Sequence, residues 1–414
     1  MRGARQRRRR LKLFLAVMGP GIITASVDQD AGGITTYTLA GAQYGYKLLW
    51  SLLFIGLALA VVQEMGTRMG VVSGKGLAEL IRERFGVRMT LLIMSVLTLT
   101  NLANTVSEFA GVKASLQLFD VNPFLAVPLA AALVSLLVVR GTYAAVERIF
   151  LAASIFYLVY LISAFIARPS WGEVARQAVR PTLQLDSSYL IMFITLVGTT
   201  IAPWMQFYLQ SSIVDKGIRL RELWYARWDA YAGSAAAVGV AFFIIVACAA
   251  TLHRSGIEVT TAEQAALAIE PLAGRYAKLL FALGLLNASL FSAAIVPLST
   301  AYAVCEALGW QTGVDRRPHE APGFFAIYLG MVVLGGALVL LPGLNPIQVM
   351  FYSQFLNGLL LPAVLVFMLI LINDRDVMGA HSNSPLVNLV AWGVAFIVTG
   401  LDILLLVAML RGAA

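Results

Sequence analysis

The chain has 414 residues, of which 59% are hydrophobic and only 13% charged, with a formal net charge of +8 and a mean hydropathy of +0.81. Soluble domains carry about a quarter charged residues, so an ordinary soluble globule is excluded. The basic residues flank apolar runs, which answers to the positive-inside rule and not to a nucleic-acid partner. Cys248 and Cys305 lie inside apolar runs and read as small hydrophobes, while His253, His319 and His381 fall in predicted loops without zinc or haem spacing.

In chain order, Arg2 to Lys12 is a basic segment that reads as a cytoplasmic anchor able to meet anionic headgroups. Apolar runs of about 20 residues follow, each long enough to cross roughly 30 Å of hydrocarbon. They are apolar on every face, so they predict helices and not barrel strands. Eleven spans are expected near 13–42, 47–72, 89–117, 123–140, 143–167, 188–213, 229–252, 276–307, 322–341, 345–372 and 386–410. With the N-terminus in the cytoplasm, the inner loops carry Lys75, Arg82, Arg84 and Arg88, then Arg140 and Arg148, Lys216 to Arg227, Arg316 and Arg317, and Arg375. The outer side carries fewer, mainly Arg168, Arg176, Arg180, Arg254 and Arg275, which predicts a multi-pass protein of the cell's inner membrane with its N-terminus inside.

Two spans contain faults. The first holds Asp28-Gln29-Asp30-Ala31-Gly32-Gly33, and the sixth holds Gly198-Thr199-Thr200-Ile201-Ala202-Pro203. They lie five helices apart, the spacing an inverted repeat of five plus five helices produces when the first helix of each half is broken at the midplane. The expected divisions are a basic segment 1–12, repeats at 13–167 and 188–372, and an additional helix at 386–410.

A carboxylate at the bilayer centre costs about 2.5–3.5 kcal/mol on insertion scales. Asp28 and Asp30 share the first fault with glycines that weaken helix geometry and free carbonyls. Two acids without a basic neighbour in sequence favour a cation; the plainer alternative is a pair of acids at a helix end reaching for water. Pro203 cannot donate to the helix ladder, so the carbonyls of Thr199 and Ala202 are candidates to face a cavity. In the tenth span, Gln348, Gln354 and Asn357 can bind an ion, bind its waters or join a neighbouring helix, and spacing alone does not choose. Glu108 is the remaining acid expected to touch an aqueous path. Glu147 and Glu306 are expected to be exposed near span ends, and Glu64 and Asp402 have no assigned role.

Gly19-Pro20-Gly21, the block Gly41-Ala42-Gln43-Tyr44-Gly45-Tyr46-Lys47-Leu48-Leu49-Trp50, the run from Arg68 to Leu80, and Tyr208-Leu209-Gln210-Ser211-Ser212-Ile213-Val214 resemble the NRAMP family of divalent-metal transporters over roughly residues 13–379. The resemblance implies an all-α polytopic membrane protein of the LeuT type (APC superfamily), with a 5+5 inverted repeat, discontinuous helices 1 and 6, and about eleven spans. It also implies a site. The family's Asp-Pro-Gly-Asn falls on Asp30-Ala31-Gly32-Gly33, so Asp30 is the implied metal ligand and Gly33 replaces the asparagine. The family's sixth-helix methionine falls on Ala202, and its tenth-helix glutamine on Gln354. A thioether is a soft ligand that favours transition metals, whereas Mg²⁺ prefers oxygen and sheds water reluctantly. The departures therefore resemble the NRAMP-related magnesium transporter branch.

The metal set expected is Asp30, Gly33, Thr199, Ala202, Gln354 and Asp28, with Glu108 on the aqueous pathway. Histidines of the family's sixth helix are replaced around Trp204, and its third-helix aspartate falls on Thr105. An uncoupled facilitator importing hydrated Mg²⁺, with Mn²⁺ as a second ion, is the implied function. The alternative is a proton-coupled Mn²⁺ or Fe²⁺ importer. An amino-acid symporter is disfavoured by two acids in the first fault, and an enzyme by the lack of a nucleophile–base pair or catalytic metal set. The expected partners are the divalent cation, as substrate and not cofactor, and the lipid bilayer. No nucleic acid is expected, and a monomer is compatible with the sequence.

Overall fold

The computed structural model describes residues 20–140 and 158–410, which are helical with short connections and contain no strand among them. The basic start, Glu147, Arg148 and most of the expected fifth span lie outside the described residues. Helices are named here in chain order. The first span is two pieces, α1 (Pro20–Val27) and α2 (Ala31–Tyr44). Next come α3 (Leu49–Ser73), α4 (Leu77–Gln117), α5 (Pro123–Arg140), α6 (Leu158–Ile166) and a short α7 (Trp171–Val179). The sixth span is again two pieces, α8 (Ser187–Thr200) and α9 (Pro203–Asp215). The remaining long helices are α10 (Leu223–Cys248), α11 (Ala277–Leu308), α12 (Pro322–Leu338), α13 (Pro346–Asn373) and α14 (Pro385–Leu410), with shorter helical turns between them. Among the described residues, eight helical segments are long and apolar enough to cross a bilayer, and α12 is a shorter apolar helix. Side chains such as Leu53, Leu99, Phe124, Leu389 and Phe396 stay exposed, a distribution that suits a lipid-facing surface.

Helix α10 packs on α1, α2 and α3, and α9 packs on α1 and α3. Helix α4 packs against α11, α12 and α13, and α13 also covers α8. The contacts are close because small residues line them. A Cβ at Gly198 would lie 2.2 Å from the Gly358 nitrogen, and one at Gly358 would lie 2.5 Å from the Ile194 carbonyl oxygen. Asp229 on α10, unremarkable in the sequence, is 2% exposed, and its Oδ2 accepts the Gly21 N–H at the start of α1 (2.7 Å). Gly233, one turn on, lets the same two helices meet: its Cβ would stand 2.4 Å from the Gly21 oxygen.

Three local expectations change. The segment before the third span is helical and continuous with it, bent at Gly86 (φ 78°), where a left-handed conformation suits only glycine. The connection 167–187 contains the amphipathic α7. Glu306, expected to be exposed, is half-buried: Ser211 donates to its Oε1 (2.5 Å), and the carboxylate sits so near the start of α4 that a Cβ on Gly76 would lie 2.0 Å from it. Glu64 is 6% exposed and pairs with Arg68 (3.0 Å) and Arg227 (2.7 Å), while Arg68 also donates to the His381 carbonyl (2.8 Å). Asp402 is half-buried on α14, and its Oδ1 meets no donor among the described residues.

Candidate metal site

The first break is narrower than the sequence suggested. Only Asp28, Gln29 and Asp30 leave the helix. Helix α1 closes normally, with Asp28 N–H donating to the Thr24 oxygen (2.8 Å). Asp30 then acts as the N-cap of α2: its backbone is extended (φ −69°, ψ −179°) and its Oδ1 accepts the Gly33 N–H (2.5 Å). Gly32 and Gly33 are therefore helical residues and not breakers. Their lack of a side chain permits close approach. A Cβ on Gly32 would lie 1.9 Å from Gln354 Nε2, and one on Gly33 would lie 2.5 Å from the Asp28 carbonyl oxygen.

The second break is Ile201-Ala202, with Pro203 at the first position of α9, where its missing N–H costs nothing. The Ala202 carbonyl, expected to face a cavity, accepts the Met205 N–H (3.1 Å). The Thr199 carbonyl does lose its usual partner, because residue 203 is proline. Thr199 Oγ1 is buried without a hydrogen-bond partner among the described residues, and a Cβ on Gly33 would lie 3.4 Å from it. Tyr37 bridges the two broken spans through Thr200 Oγ1 (2.8 Å); since Thr200 gives its own proton to the Leu196 oxygen (2.9 Å), Tyr37 is the donor.

Three acids meet at the first break. Asp28, Asp30 and Glu108 are 1%, 2% and 0% exposed, and none has an ion-pair partner among the described residues. Glu108 Oε2 accepts the Ala31 N–H (3.3 Å), so Asp30 and Glu108 both face the positive end of α2. Asp28 Oδ2 accepts from Gln29 Nε2 (3.2 Å), while Asp28 Oδ1 and Glu108 Oε1 meet no donor among the described residues. Gln354 Nε2 reaches Asp30 Oδ2 (3.2 Å) and Oδ1 (3.4 Å). Gln354 Oε1 in turn accepts from Asn357 Nδ2 (2.8 Å), and Asn357 and Asn104 exchange two amide bonds (2.8 and 3.1 Å). Asn104 carried no signal in the sequence beyond being a polar residue in an apolar span. No group of three His, Cys, Asp or Glu among the described residues is spaced to enclose a bare metal ion.

The two sides of the breaks differ. Toward the end of α2 lies a cavity of about 290 Å³ lined in part by Leu39, Gln43, Tyr44, Met192, Glu258 and Gln348. Gln348 thus belongs to this mouth and not to the break, and a hydrogen bond from Thr35 Oγ1 to Met350 Sδ (3.5 Å) lies between them in sequence register. On the opposite side α9 is tied down. The Trp204 carbonyl accepts from Ser299 (2.8 Å), Gln210 donates to the Lys75 carbonyl (2.9 Å), and Tyr302 donates to Asp215.

This chain matches the model of the natural resistance-associated macrophage protein-like (Nramp) family over residues 21–408. It belongs to that family. The divalent metal cation transporter MntH of Deinococcus radiodurans is 28% identical over 422 residues, covering 98% of this chain and 92% of the relative. Among solved structures, the Eremococcus coleocola manganese transporter bound to an aromatic bis-isothiourea compound superposes with a TM-score of 0.81 at 20% identity, covering 96% of this chain and 87% of its own. Mhp1, a nucleobase-cation-symport-1 family transporter, superposes at 0.63 and 16% identity, covering 96% and 93%. The Nramp chain thus has the LeuT-type inverted-repeat fold, with its first and sixth helices discontinuous.

Proposed function

We propose that this Nramp protein is a secondary carrier that imports hydrated divalent cations, chiefly Mg²⁺ and also Mn²⁺, across the inner membrane without a coupled proton. The divalent-metal transport of its relatives carries over to this chain on the donor set at the first break, which is the observation that carries the reading. Three buried carboxylates lack a cationic partner among the described residues, and a buried unpaired charge is costly. Beside Gly33 stand oxygen groups, the Thr199 hydroxyl and the Asp28 carbonyl. Gly33 and Ala202 occupy the positions where the family places an amide and a thioether. Such a set accepts hydrogen bonds from metal-bound waters and suits an ion that keeps them.

In this reading Asp30 anchors the ion, Asp28 and Glu108 add field, and the amide of Gln354 turns its oxygen toward the ion. The N-terminus is cytoplasmic, and the 290 Å³ cavity is the outer mouth. A divalent cation moving inward through 100 mV releases about 4.6 kcal/mol, twice the value of roughly 2.3 per unit charge. That suffices for accumulation without a proton. The test is Mg²⁺ uptake into proteoliposomes, where Asp30→Ala is expected to be silent; transport at the wild-type rate would refute the site. Glu108 beside Asp30 favours a second reading, a carboxylate pair that carries a proton with the metal. A pH-sensing dye in the same vesicles decides, since acidification that follows metal entry would overturn the uncoupled carrier.

A further inference from the structure

The amides behind Asp30 form a continuous chain. Gln354, Asn357 and Asn104 are each fully buried, and they link the first break to α4 through α13. Gln354 directs its NH₂ at the Asp30 carboxylate, and its oxygen is held by Asn357 Nδ2 at 2.8 Å. Asn357 spends both Nδ2 protons, one on Gln354 and one on Asn104 Oδ1 (3.1 Å), while its oxygen takes the Asn104 amide (2.8 Å). In this arrangement the group nearest Asp30 is a donor, which competes with a cation and cannot ligate one.

We propose that Asn357 and Asn104 are positioning residues, and that with Gln354 they form a three-amide relay that turns over as a unit when a divalent cation binds at Asp30. The proposal rests on the reading of Asp30 as the cation's anchor. Turning Gln354 alone would set its NH₂ against the NH₂ of Asn357. Turning Gln354 and Asn357 would set oxygen against oxygen at Asn104. Turning all three restores every bond: the Asn357 oxygen then accepts from Gln354 and Asn104, and Asn357 Nδ2 donates to the Asn104 oxygen. Only the end states leave no buried amide unmatched, so the three must move together. The relay thereby ties the occupancy of the first break to α4 through α13.

Removing Asn104 biases the pair. With an apolar residue at 104, the turned state leaves both Asn357 N–H groups without acceptors, whereas the unturned state keeps one of them on Gln354. Orphaned donors are the less tolerated kind. The unturned state, with its NH₂ on Asp30, is therefore favoured and the cation binds more weakly.

The experiment is a double-mutant cycle read by calorimetric titration of Mn²⁺ into purified protein and by initial Mn²⁺ uptake in proteoliposomes. Asn104→Leu is expected to raise Kd and KM about fivefold with little change in kcat, and in the Gln354→Ala background the same replacement should change Kd by less than about twofold. Equal shifts in both backgrounds, or an unchanged Kd, overturn the relay. Asp30→Ala is run alongside: if it binds Mn²⁺ as the wild type does, the anchor itself is wrong, an outcome distinct from failure of the relay alone. Should Asn104→Leu not accumulate as folded protein, Asn104→Ala carries the same cycle.

Discussion

Replacing Gly33 by alanine tests the close approach of α2 to the Asp28 carbonyl. A Cβ there would lie 2.5 Å from the Asp28 carbonyl oxygen, 3.2 Å from Asp30 Oδ1 and 3.4 Å from Thr199 Oγ1. Non-bonded heavy atoms rest about 3.5–4 Å apart, so the Asp28 oxygen must retreat by roughly 1 Å, and it belongs to backbone and not to a flexible side chain. Overpacking of this kind costs about 1–3 kcal/mol. Against it stands the helix preference for alanine, about 0.5–1 kcal/mol, because Gly33 is helical. The net loss of stability is then modest, up to about 2.5 kcal/mol. The loss of function should be larger, since a displacement of about 1 Å at a preorganised site can cost about a hundredfold. Gly239→Ala on α10, where a Cβ meets nothing within 4 Å, is the matched control. Mg²⁺ uptake and thermal melting of both variants are compared. Gly33→Ala with wild-type KM and rate would refute the claim that the Asp28 carbonyl and the Asp30 cap set the site.

Ala202→Met should move selectivity from Mg²⁺ toward Mn²⁺ or Cd²⁺ by about tenfold in competition uptake, because it restores a soft ligand at the second break; an unchanged ratio would show that Ala202 does not face the ion. Arg68→Ala leaves Glu64 with Arg227 alone and frees the His381 and Ser382 carbonyls, so the melting temperature in detergent should fall with a loss of about 1–3 kcal/mol. Ser211→Ala removes the hydroxyl on Glu306 and should raise labelling of a cysteine placed on α9 from the 211–215 side, with a stability cost of about 1 kcal/mol; unchanged labelling would show that the contact does not hold α9 down.

The spans were legible because hydrocarbon imposes length and apolarity on each one, and α5, α13 and α14 begin and end within a residue of where the apolar runs do. Both breaks were legible too, as acids or proline inside such runs. The details around them were not. Gly32 and Gly33 read as helix breakers because glycine is locally permissive, yet what selects them is Gln354 and the Asp28 carbonyl, groups that only the fold brings near. Glu306 read as exposed because it sits near a helix end, and nothing local announces Ser211 or the start of α4 beside it. Asp229 and Asn104 gave no warning for the same reason: each acts on a partner more than 200 residues away in sequence. The bend at Gly86 and the helix α7 lie where basic and polar residues suggested plain loop.

The clasp between Asp229 and Gly21 has a consequence for motion. One carboxylate and two abutting glycines make α1 a passenger of α10: the short piece Pro20–Val27 cannot swing by itself without breaking the Asp229–Gly21 hydrogen bond and the close glycine contact. The flexible joint of the first span is therefore the three residues that follow it, the same three that hold two of the acids. On the site proposed above, the cargo sits at the pivot itself, with no lever arm between load and hinge.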